Sequence, residues 1–345
     1  MRNFIKTFVV AMVAILFMGG CKSLFTLTSS GETATGTPYE LVLVCDQSAW
    51  QSELGDTLQA VLKQPVKELM QYEPMFDVMR ILPNNFKSLT ERHRNIVVVD
   101  VNPAHAEPSI VVAYDKTAAP QIYITLKGGD TQSLAKYVSD NRDNIIYVLE
   151  KAERDRTVTY SRAYYSQFFR DEIFNKFGMD LPLPDNYKLR TSSDDMIWIS
   201  QEFPMASQGF FIYKYPYEGK ESLTPEALMK ARNRFASRIP GPAEGSYMST
   251  VDKIPNDEGT DYIPFIPDHR ALIIGDRTWI EMVGLWDVEN YFMGGPYVSY
   301  TTVNKATNEV VTIDCYVYYP KPRKKRNMFR ALQHLVYLAD FPAQK

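Results

Sequence analysis

The chain has 345 residues, of which 45% are hydrophobic and 23% are charged, and its formal net charge is −3. This composition is typical of a globular protein, and the slightly acidic balance argues against a protein that binds nucleic acid through a basic surface. The length is sufficient for one large domain or for two smaller ones.

The first 20 residues have the pattern of a secretory signal. Two basic residues, Arg2 and Lys6, precede an apolar stretch at 8–18, and the small pair Gly19-Gly20 follows. This is the order of charged region, apolar region and cleavage site in a signal peptide. The apolar stretch is shorter than the roughly 20 residues of a membrane-spanning helix. The sequence therefore predicts that residues 1–20 are removed.

Cys21 stands directly after the two glycines, and the stretch resembles a bacterial lipobox. In a lipobox the cysteine is acylated, for example with palmitate, and becomes the lipid-bearing N-terminus. Several acyl chains, at about 0.8 kcal/mol per buried CH₂, would anchor the protein firmly. The alternative is an ordinary secretion signal followed by a chance cysteine.

Residues 21–38 are rich in Ser, Thr and Gly, so they are predicted to form a flexible tether between the lipid and the folded part. Because Lys22 rather than Asp follows the cysteine, we expect sorting to the outer membrane, with the protein facing the periplasm.

Two further cysteines, Cys45 and Cys315, fall in predicted strands. In an oxidising compartment they form either one long-range disulfide or two buried free thiols, and a disulfide requires Cα atoms within about 7 Å. Neither belongs to a CxxC motif or a Cys/His cluster, so the sequence predicts no metal site.

Residues 39–183 are predicted to form an N-terminal subdomain. The apolar runs at 39–46 and 95–101 are typical of buried strands, and 109–126 is predicted to be a hairpin. Apolar residues with helical spacing follow Asp46 and Asp130, and the stretch "LPLPD" at 181–185 interrupts the pattern.

Residues 184–345 are predicted to form a C-terminal subdomain. Strands are expected at 196–203 and 209–215, and hairpins at 270–286 and 297–319. One helix begins near Pro225, and another ends the chain. The expected fold class is α+β, with mainly antiparallel sheets, flanking helices and two sheet-plus-helix subdomains.

Two segments carry a resemblance to a known family: "GLWDVENYFMGGPYVSY" at 284–300 and "RKKRNMFRALQHLVY" at 323–337. They resemble an uncharacterised lipoprotein family of the Bacteroidota, the domain of unknown function 4837 group. The resemblance implies an envelope location and extends over nearly all of the mature chain, but it implies no catalytic or binding residues.

No motif in the sequence indicates a known catalytic site. The GxSxG, HExxH, Walker A and Rossmann patterns are absent, and the four histidines are scattered. Cys45 precedes a predicted helix, which can activate a thiol, but no histidine lies near it in sequence. We therefore expect no catalytic residue, no cofactor and no metal.

A basic run stands at the entry to the last helix, where the helix dipole disfavours cations. Together with the N-terminal amides of that helix, these residues would attract an anion such as a lipid phosphate. The alternative is a solvated charge run that keeps the protein soluble. The candidate anion-binding residues are Lys321, Arg323, Lys324, Lys325 and Arg326.

The stretch "WDVENYFMGGP" at 286–296 is predicted to be a loop at a sheet edge and is the main candidate for a working surface. Aromatic rings beside a few polar groups are typical of interface hot spots. The alternative is that these aromatics fill the end of the protein's own core. The candidate binding residues are Trp286, Asp287, Glu289, Asn290, Tyr291, Phe292, Gly294 and Gly295.

These features together predict a lipid-anchored protein of the cell envelope that is not an enzyme. It would contact the membrane through its N-terminal lipid and bind an envelope protein, a glycan or a lipid head group, but no nucleic acid. An envelope hydrolase whose catalytic site is not visible in the sequence is the alternative.

Overall fold

The fold is given by a computed structural model, in which residues 31–321 and 325–342 are described. The predicted signal peptide, Cys21 and the first part of the predicted tether lie outside the described residues. The described part of the tether is bonded to the first sheet: Thr33 forms a β-bridge with Ala119 and Thr35 forms one with His93. The flexible tether was therefore predicted too long at its C-terminal end.

A five-stranded sheet forms the centre of the N-terminal half. The strand order is β2-β1-β3-β5-β4; the pairs β1–β2, β1–β3 and β3–β5 are parallel, and β4–β5 is the predicted antiparallel hairpin. Continuous apolar runs such as "LVLV" suit parallel strands, which are buried on both faces. The strands are β1 (Glu40–Val44), β2 (Asp77–Ile81), β3 (Asn95–Val101), β4 (Ser109–Tyr114) and β5 (Ile122–Gly128).

Five helices accompany this sheet, and polar side chains cap several of them. Asp46, Ser52 and Asp130 each accept a hydrogen bond from a backbone amide in the first turn of a helix. Gly178, with φ of 64°, ends the fifth helix. The helices are α1 (Gln47–Trp50), α2 (Glu53–Leu62), α3 (Thr131–Asp140), α4 (Arg142–Ala163) and α5 (Gln167–Phe177).

A second, eight-stranded sheet forms the centre of the C-terminal half, and all its strand pairs are antiparallel. Its order is β12-β13-β14-β15-β8-β7-β6, with β9 beside β13, and β10 and β11 pair separately. The strands are β6 (Lys188–Ser192), β7 (Met196–Phe203), β8 (Ala206–Pro216), β9 (Met248–Thr250), β10 (Lys253–Pro255), β11 (Tyr262–Pro264), β12 (Asp268–Ile274), β13 (Arg277–Val288), β14 (Tyr291–Asn304) and β15 (Glu309–Tyr318).

Two helices pack against the second sheet, α6 (Pro225–Ala236) and α7 (Lys325–Val336). The apolar side of α6 meets one face of the sheet through Phe235, which stacks on Tyr213 with ring centroids 4.4 Å apart. The last helix, α7, packs on the other face and also against α4 of the N-terminal half. The predicted α+β class with mainly antiparallel sheets is confirmed.

An ion pair between Arg232 of α6 and Asp314 of β15 is fully buried. Two guanidinium nitrogens lie 2.8 and 3.2 Å from the carboxylate oxygens, and a third donates to Thr250 over 2.7 Å. Burial raises the pKa of Asp314 to about 6, against the opposing effect of Arg232. Burial by itself lowers the pKa of Arg232, but Asp314 outweighs it and leaves that pKa raised. At neutral pH both groups are charged, and they tie α6 to the sheet.

One main apolar cluster extends through both halves. It contains Leu41 and Val97 of the first sheet, Val298 and Ile313 of the second sheet, and Phe329 of α7. The predicted subdomain boundary between residues 183 and 184 lies between the two sheets, and the cluster continues across it. Among the described residues, no helix combines the length and the apolar character that crossing a membrane requires.

Candidate functional site

The stretch at 286–296 is a tight hairpin between β13 and β14, so the prediction of a loop was wrong. Val288 pairs with Tyr291, and only Glu289 and Asn290 lie between the two strands. Asn290 takes a φ of 63°, a left-handed conformation that asparagine adopts more readily than most residues. A two-residue turn was therefore possible without glycine.

A β-bulge follows this turn on β14. Asp287 pairs with Gly294 and Val288 with Tyr291, which leaves Phe292 and Met293 as extra residues on one strand. A bulge changes the direction of side chains along a strand. Phe292 is fully exposed, with 104% of its reference accessible area, and Tyr291 is 48% exposed. Met293 instead packs against the apolar cluster under α6.

The other aromatic residue of the stretch, Trp286, belongs to the core. It is 2% exposed, lies edge-on to Tyr316, and donates from Nε1 to the Val317 carbonyl over 3.3 Å. A Cβ atom on Gly295 would lie 2.1 Å from the Val317 carbonyl oxygen, and one on Gly294 would lie 2.6 Å from that of Trp286. Both glycines thus permit close approach of neighbouring strands, rather than of a ligand.

A second hairpin, between β7 and β8, has its tip at the same end of the sheet. Its turn lies between Phe203 and Ala206. Because β15 ends at Tyr318 opposite Ser207, only β15 lies between β14 and β8, a lateral separation of roughly 10 Å at the usual strand spacing. Tyr247 also lies here, since its carbonyl oxygen accepts a hydrogen bond from the amide of Glu289.

We call this end of the sheet the hairpin-end surface. It exposes several large apolar side chains, and carboxylates stand beside them: Glu289 and Asp287 on one hairpin and Glu202 on the other are all exposed. An apolar centre with a polar rim is the usual anatomy of a protein interface. The apolar members are Phe203, Met205, Tyr247, Tyr291 and Phe292.

The basic entry to α7 is arranged differently from the prediction. The Glu73 carboxylate accepts hydrogen bonds from the backbone amides of Lys325, over 2.8 Å, and Arg326, over 3.1 Å. The amides that we expected to meet an external phosphate therefore hold an internal carboxylate. Lys321 is exposed, whereas Arg323 and Lys324 lie outside the described residues.

Arg326 also has internal partners. Its guanidinium donates to the Pro74 carbonyl over 2.7 Å and to Asp77 over 2.6 Å, and the residue is 4% exposed. The side chain of Lys325 donates to the Lys321 carbonyl over 2.8 Å. Lys325 and Arg326 thus serve the contact between α7 and the first sheet, which corrects their assignment to an anion site.

A buried polar network that the sequence did not reveal surrounds Tyr39. Its hydroxyl donates to Glu150 over 3.1 Å and lies 3.2 Å from Nε2 of His334, while Nδ1 of His334 lies 3.2 Å from the Thr157 hydroxyl. Burial lowers the pKa of His334. This network joins β1, α4 and α7.

A second buried carboxylate, Glu153, adjoins it. It accepts hydrogen bonds from Arg94 over 3.1 and 2.6 Å and from Asn95 over 2.7 Å, and it lies 3.0 Å from Arg156. Burial lowers the pKa of Arg156 to about 10, although Glu153 opposes this effect. The two arginines are thereby held in fixed positions.

Two cavities flank the first sheet. One, of about 1130 Å³, lies beside β2. Of its charged groups, Glu73 bonds the backbone amides of α7, and Asp77 bonds Arg326. The other, of about 660 Å³, lies between α4 and the turn from β4 to β5. In the described ranges, no three His, Cys, Asp or Glu side chains are grouped so that they could hold a metal ion.

The two cysteines of the folded part are buried free thiols. Burial raises the pKa of Cys45 to about 11 and raises that of Cys315 well above its ordinary value. Neither thiol is activated as a nucleophile. The aromatic run at 210–219 packs internally through Phe211 and Tyr213.

Two protein families match different parts of the chain. Residues 34–161 match the family described as Domain of unknown function (DUF8532), and residues 166–337 match the one described as Domain of unknown function (DUF4837). The family resemblance therefore covers the C-terminal half, and not nearly all of the mature chain as expected. No curated protein matches the chain.

Two solved structures show slight similarity. One is LpqN, involved in cell envelope biogenesis of Mycobacterium tuberculosis, with 13% identity and a TM-score of 0.26 over 46% of this chain and 79% of LpqN. The other is a mutant of the protein Mog1, with 12% identity and a TM-score of 0.25 over 46% of this chain and 84% of Mog1. Neither similarity bears on function. Through residues 166–337, which include the segment 284–300, the chain belongs to the family described as Domain of unknown function (DUF4837).

Proposed function

We propose that this protein is a non-enzymatic binding module of the cell envelope, anchored by a lipid on Cys21, and that it binds a partner protein through the hairpin-end surface. The observation that carries the proposal is the complete exposure of Phe292 on a bulge within an ordered sheet. Burying such a side chain is worth about 1.5–3 kcal/mol. A partner that covers the ring would gain this free energy.

The neighbours of Phe292 support a surface rather than a single stray side chain. Phe203 and Met205 lie at the adjacent hairpin tip, Tyr291 precedes Phe292 on β14, and Tyr247 is bonded to the same hairpin through the Glu289 amide. Clustered exposed apolar groups mark interaction sites more often than scattered ones. Aromatic residues near the centre of a patch are also the usual hot spots of binding.

The charges around the patch indicate the chemistry of the partner. Asp287 and Glu289 carry the negative charge of the rim, whereas the Glu202 carboxylate lies 3.6 Å from Arg190. Electrostatic complementarity then favours a protein with an apolar groove bordered by Lys or Arg. Both hairpins are fixed in an eight-stranded sheet, so little conformational entropy is lost when the partner binds.

The proposal is tested by cross-linking in intact cells that produce the full chain, followed by mass spectrometry. Phe292→Ala and Tyr291→Ala should reduce the cross-links to one partner at least about tenfold, which corresponds to 1.4 kcal/mol. Phe174→Ala is the matched control, because Phe174 is a half-exposed phenylalanine on α5. A fatty-acid analogue in the same cells should label the parent protein but not Cys21→Ala.

Equal cross-link yields from the parent and Phe292→Ala would contradict the assignment of the surface. Equal lipid labelling of the parent and Cys21→Ala would contradict the anchor. The two parts of the proposal can therefore fail independently.

A further inference from the structure

The cleft of about 660 Å³ lies at a junction of three segments: the N-terminal segment at 34–38, the turn from β4 to β5, and α4. Its volume is within the roughly 300–1000 Å³ of small-molecule sites. It is on the first sheet, whereas the hairpin-end surface is on the second. It therefore represents a separate candidate site, independent of the proposed function.

Tyrosine rings form the rim of the cleft. Tyr114, at the end of β4, is 40% exposed, and Tyr160, on α4, is 58% exposed. Tyr164 extends the rim along the helix axis, with its ring centroid 4.9 Å from that of Tyr160. Pro38 and Pro120 add rigid apolar surface. Flat aromatic faces of this kind pack well against the apolar faces of other rings.

Polar groups in fixed positions form the base. Arg94 and Arg156 line it, and both are bound from behind by buried Glu153. Asp115 accepts a hydrogen bond from the Gln121 amide over 2.8 Å, so its carboxylate is also oriented. Fixed donors and acceptors suit a ligand that carries several hydroxyl groups, because each hydroxyl both donates and accepts.

The charges of the cleft distinguish between classes of ligand. Two arginines, Arg94 and Arg156, and two carboxylates, Asp115 and Asp155, line it, and Glu153 adds a further negative charge directly behind the arginines. The cleft therefore has no excess positive charge to attract a phosphate or an acidic sugar. A neutral ligand with apolar faces and many hydroxyl groups fits both the rim and the base.

We infer that this cleft binds a neutral oligosaccharide, with Tyr114 and Tyr160 stacking on sugar rings and the polar base bonding to their hydroxyl groups. The inference requires that the affinity depend on the rim tyrosines. It also requires that neutral sugars bind better than acidic ones.

The test uses the chain from residue 22 onward and four neutral probes: the tetrasaccharides of chitin, cellulose, amylose and xylan. Ligand-observed NMR and calorimetry measure binding at about 10 mM sugar, where a site with a Kd of about 1 mM is mostly filled. We expect at least one probe to bind. Tyr160→Ala and Tyr114→Ala should each weaken it about tenfold, or 1.4 kcal/mol.

Tyr147→Ala is the matched control, since Tyr147 is on the same helix, is 56% exposed and does not line the cleft. It should leave the affinity unchanged, as should Phe292→Ala on the other sheet. The inference is overturned if none of the four probes binds, if Tyr160→Ala binds as well as the parent, or if a tetrasaccharide of galacturonic acid binds more tightly than every neutral probe.

Discussion

His334 is a buried residue whose charge is coupled to folding. It is 5% exposed, and Tyr39, Thr157, Glu150 and Arg330 surround it. Burial is the largest cause of its lowered pKa, and Arg330 acts in the same direction, whereas Glu150 opposes them. The imidazole is therefore neutral in the folded protein at neutral pH.

We predict that the contribution of His334 to stability falls as the pH drops below the unfolded pKa of histidine, about 6.5. In that range the unfolded chain takes up a proton on His334 that the folded chain refuses until the pH reaches its lower folded pKa. The contribution of His334 is thus complete above pH 6.5 and is lost through this window. Burial also lowers the pKa of His93, which adds a change of the same sign. Asp314, whose pKa burial raises to about 6, takes up a proton in the folded protein in the same range and changes stability in the opposite direction.

Urea unfolding at a series of pH values measures this effect. His334→Gln should give a smaller decline between about pH 6.5 and 5 than the parent, whatever its stability at pH 7. His269→Gln is the control, because His269 is exposed. An unchanged pH dependence in His334→Gln would show that the imidazole takes up its proton at the same pH in the folded and the unfolded protein.

At the scale of elements, the first turn of α7 depends on a residue far away in sequence. Glu73 lies 252 positions before Lys325 and satisfies two of the amides that a helix N-terminus leaves free. The negative carboxylate also interacts favourably with the positive end of the helix dipole and with the adjacent basic side chains.

We predict that Glu73→Ala destabilises the protein by about 1–3 kcal/mol, because two buried amides lose their acceptor. The vacated position then becomes the anion site that the basic run suggested. Sulfate should therefore raise the melting temperature of Glu73→Ala more than that of the parent. Equal effects of sulfate on both proteins would mean that the amides of α7 do not bind the anion, for instance because another acceptor has replaced Glu73.

Sequence patterns predicted the elements whose signals are local. The hairpins β12–β13 and β14–β15 were predicted correctly. Their turns contain Gly275 and Asn308, residue types that readily take the positive φ seen at both positions. The turn at Glu289-Asn290 has no glycine, and the aromatics after it were taken for a loop. The role of Glu73 could not be predicted, since it arises only when two distant segments meet.

The same difference between local signals and contacts of distant segments explains which parts of the candidate sites the sequence revealed. The exposure of Tyr291 and Phe292 follows from a bulge, whereas Trp286, only five residues from Tyr291, is core. The cleft of about 660 Å³ lined by Tyr114 and Tyr160 was not predicted. Its walls come from the N-terminal segment, the turn after Tyr114 and the helix around Tyr160, and no local pattern connects them.

At the scale of the whole molecule, the family boundaries and the core divide the chain differently. The two family matches meet between residues 161 and 166, but the main apolar cluster contains side chains from both sides of that point. Helix α7 belongs to the C-terminal match, yet Arg330 pairs with Glu68 and His334 contacts Tyr39.

We predict that a fragment of residues 166–342 does not fold independently, because the α7 face that meets α4 would be exposed to water. Circular dichroism should show no cooperative thermal transition for the fragment, whereas residues 31–342 should show one. Co-production with residues 31–165 should restore the transition. A fragment that melts cooperatively by itself would mean that the shared cluster contributes little to its stability.

The contact between α7 and β1 also bears on the order of events during synthesis. Tyr39 is among the first described residues to be made, and its partner His334 lies 295 positions later. Glu150 and the Tyr39 hydroxyl must therefore wait for the last helix before their bonds are complete. Until then, apolar surface of the N-terminal half stays open to solvent, and such surface favours aggregation. A chain in which α7 contacts a residue just before β1 is exposed to aggregation for a long part of its synthesis, and a chaperone that holds it until α7 has emerged would reduce that risk.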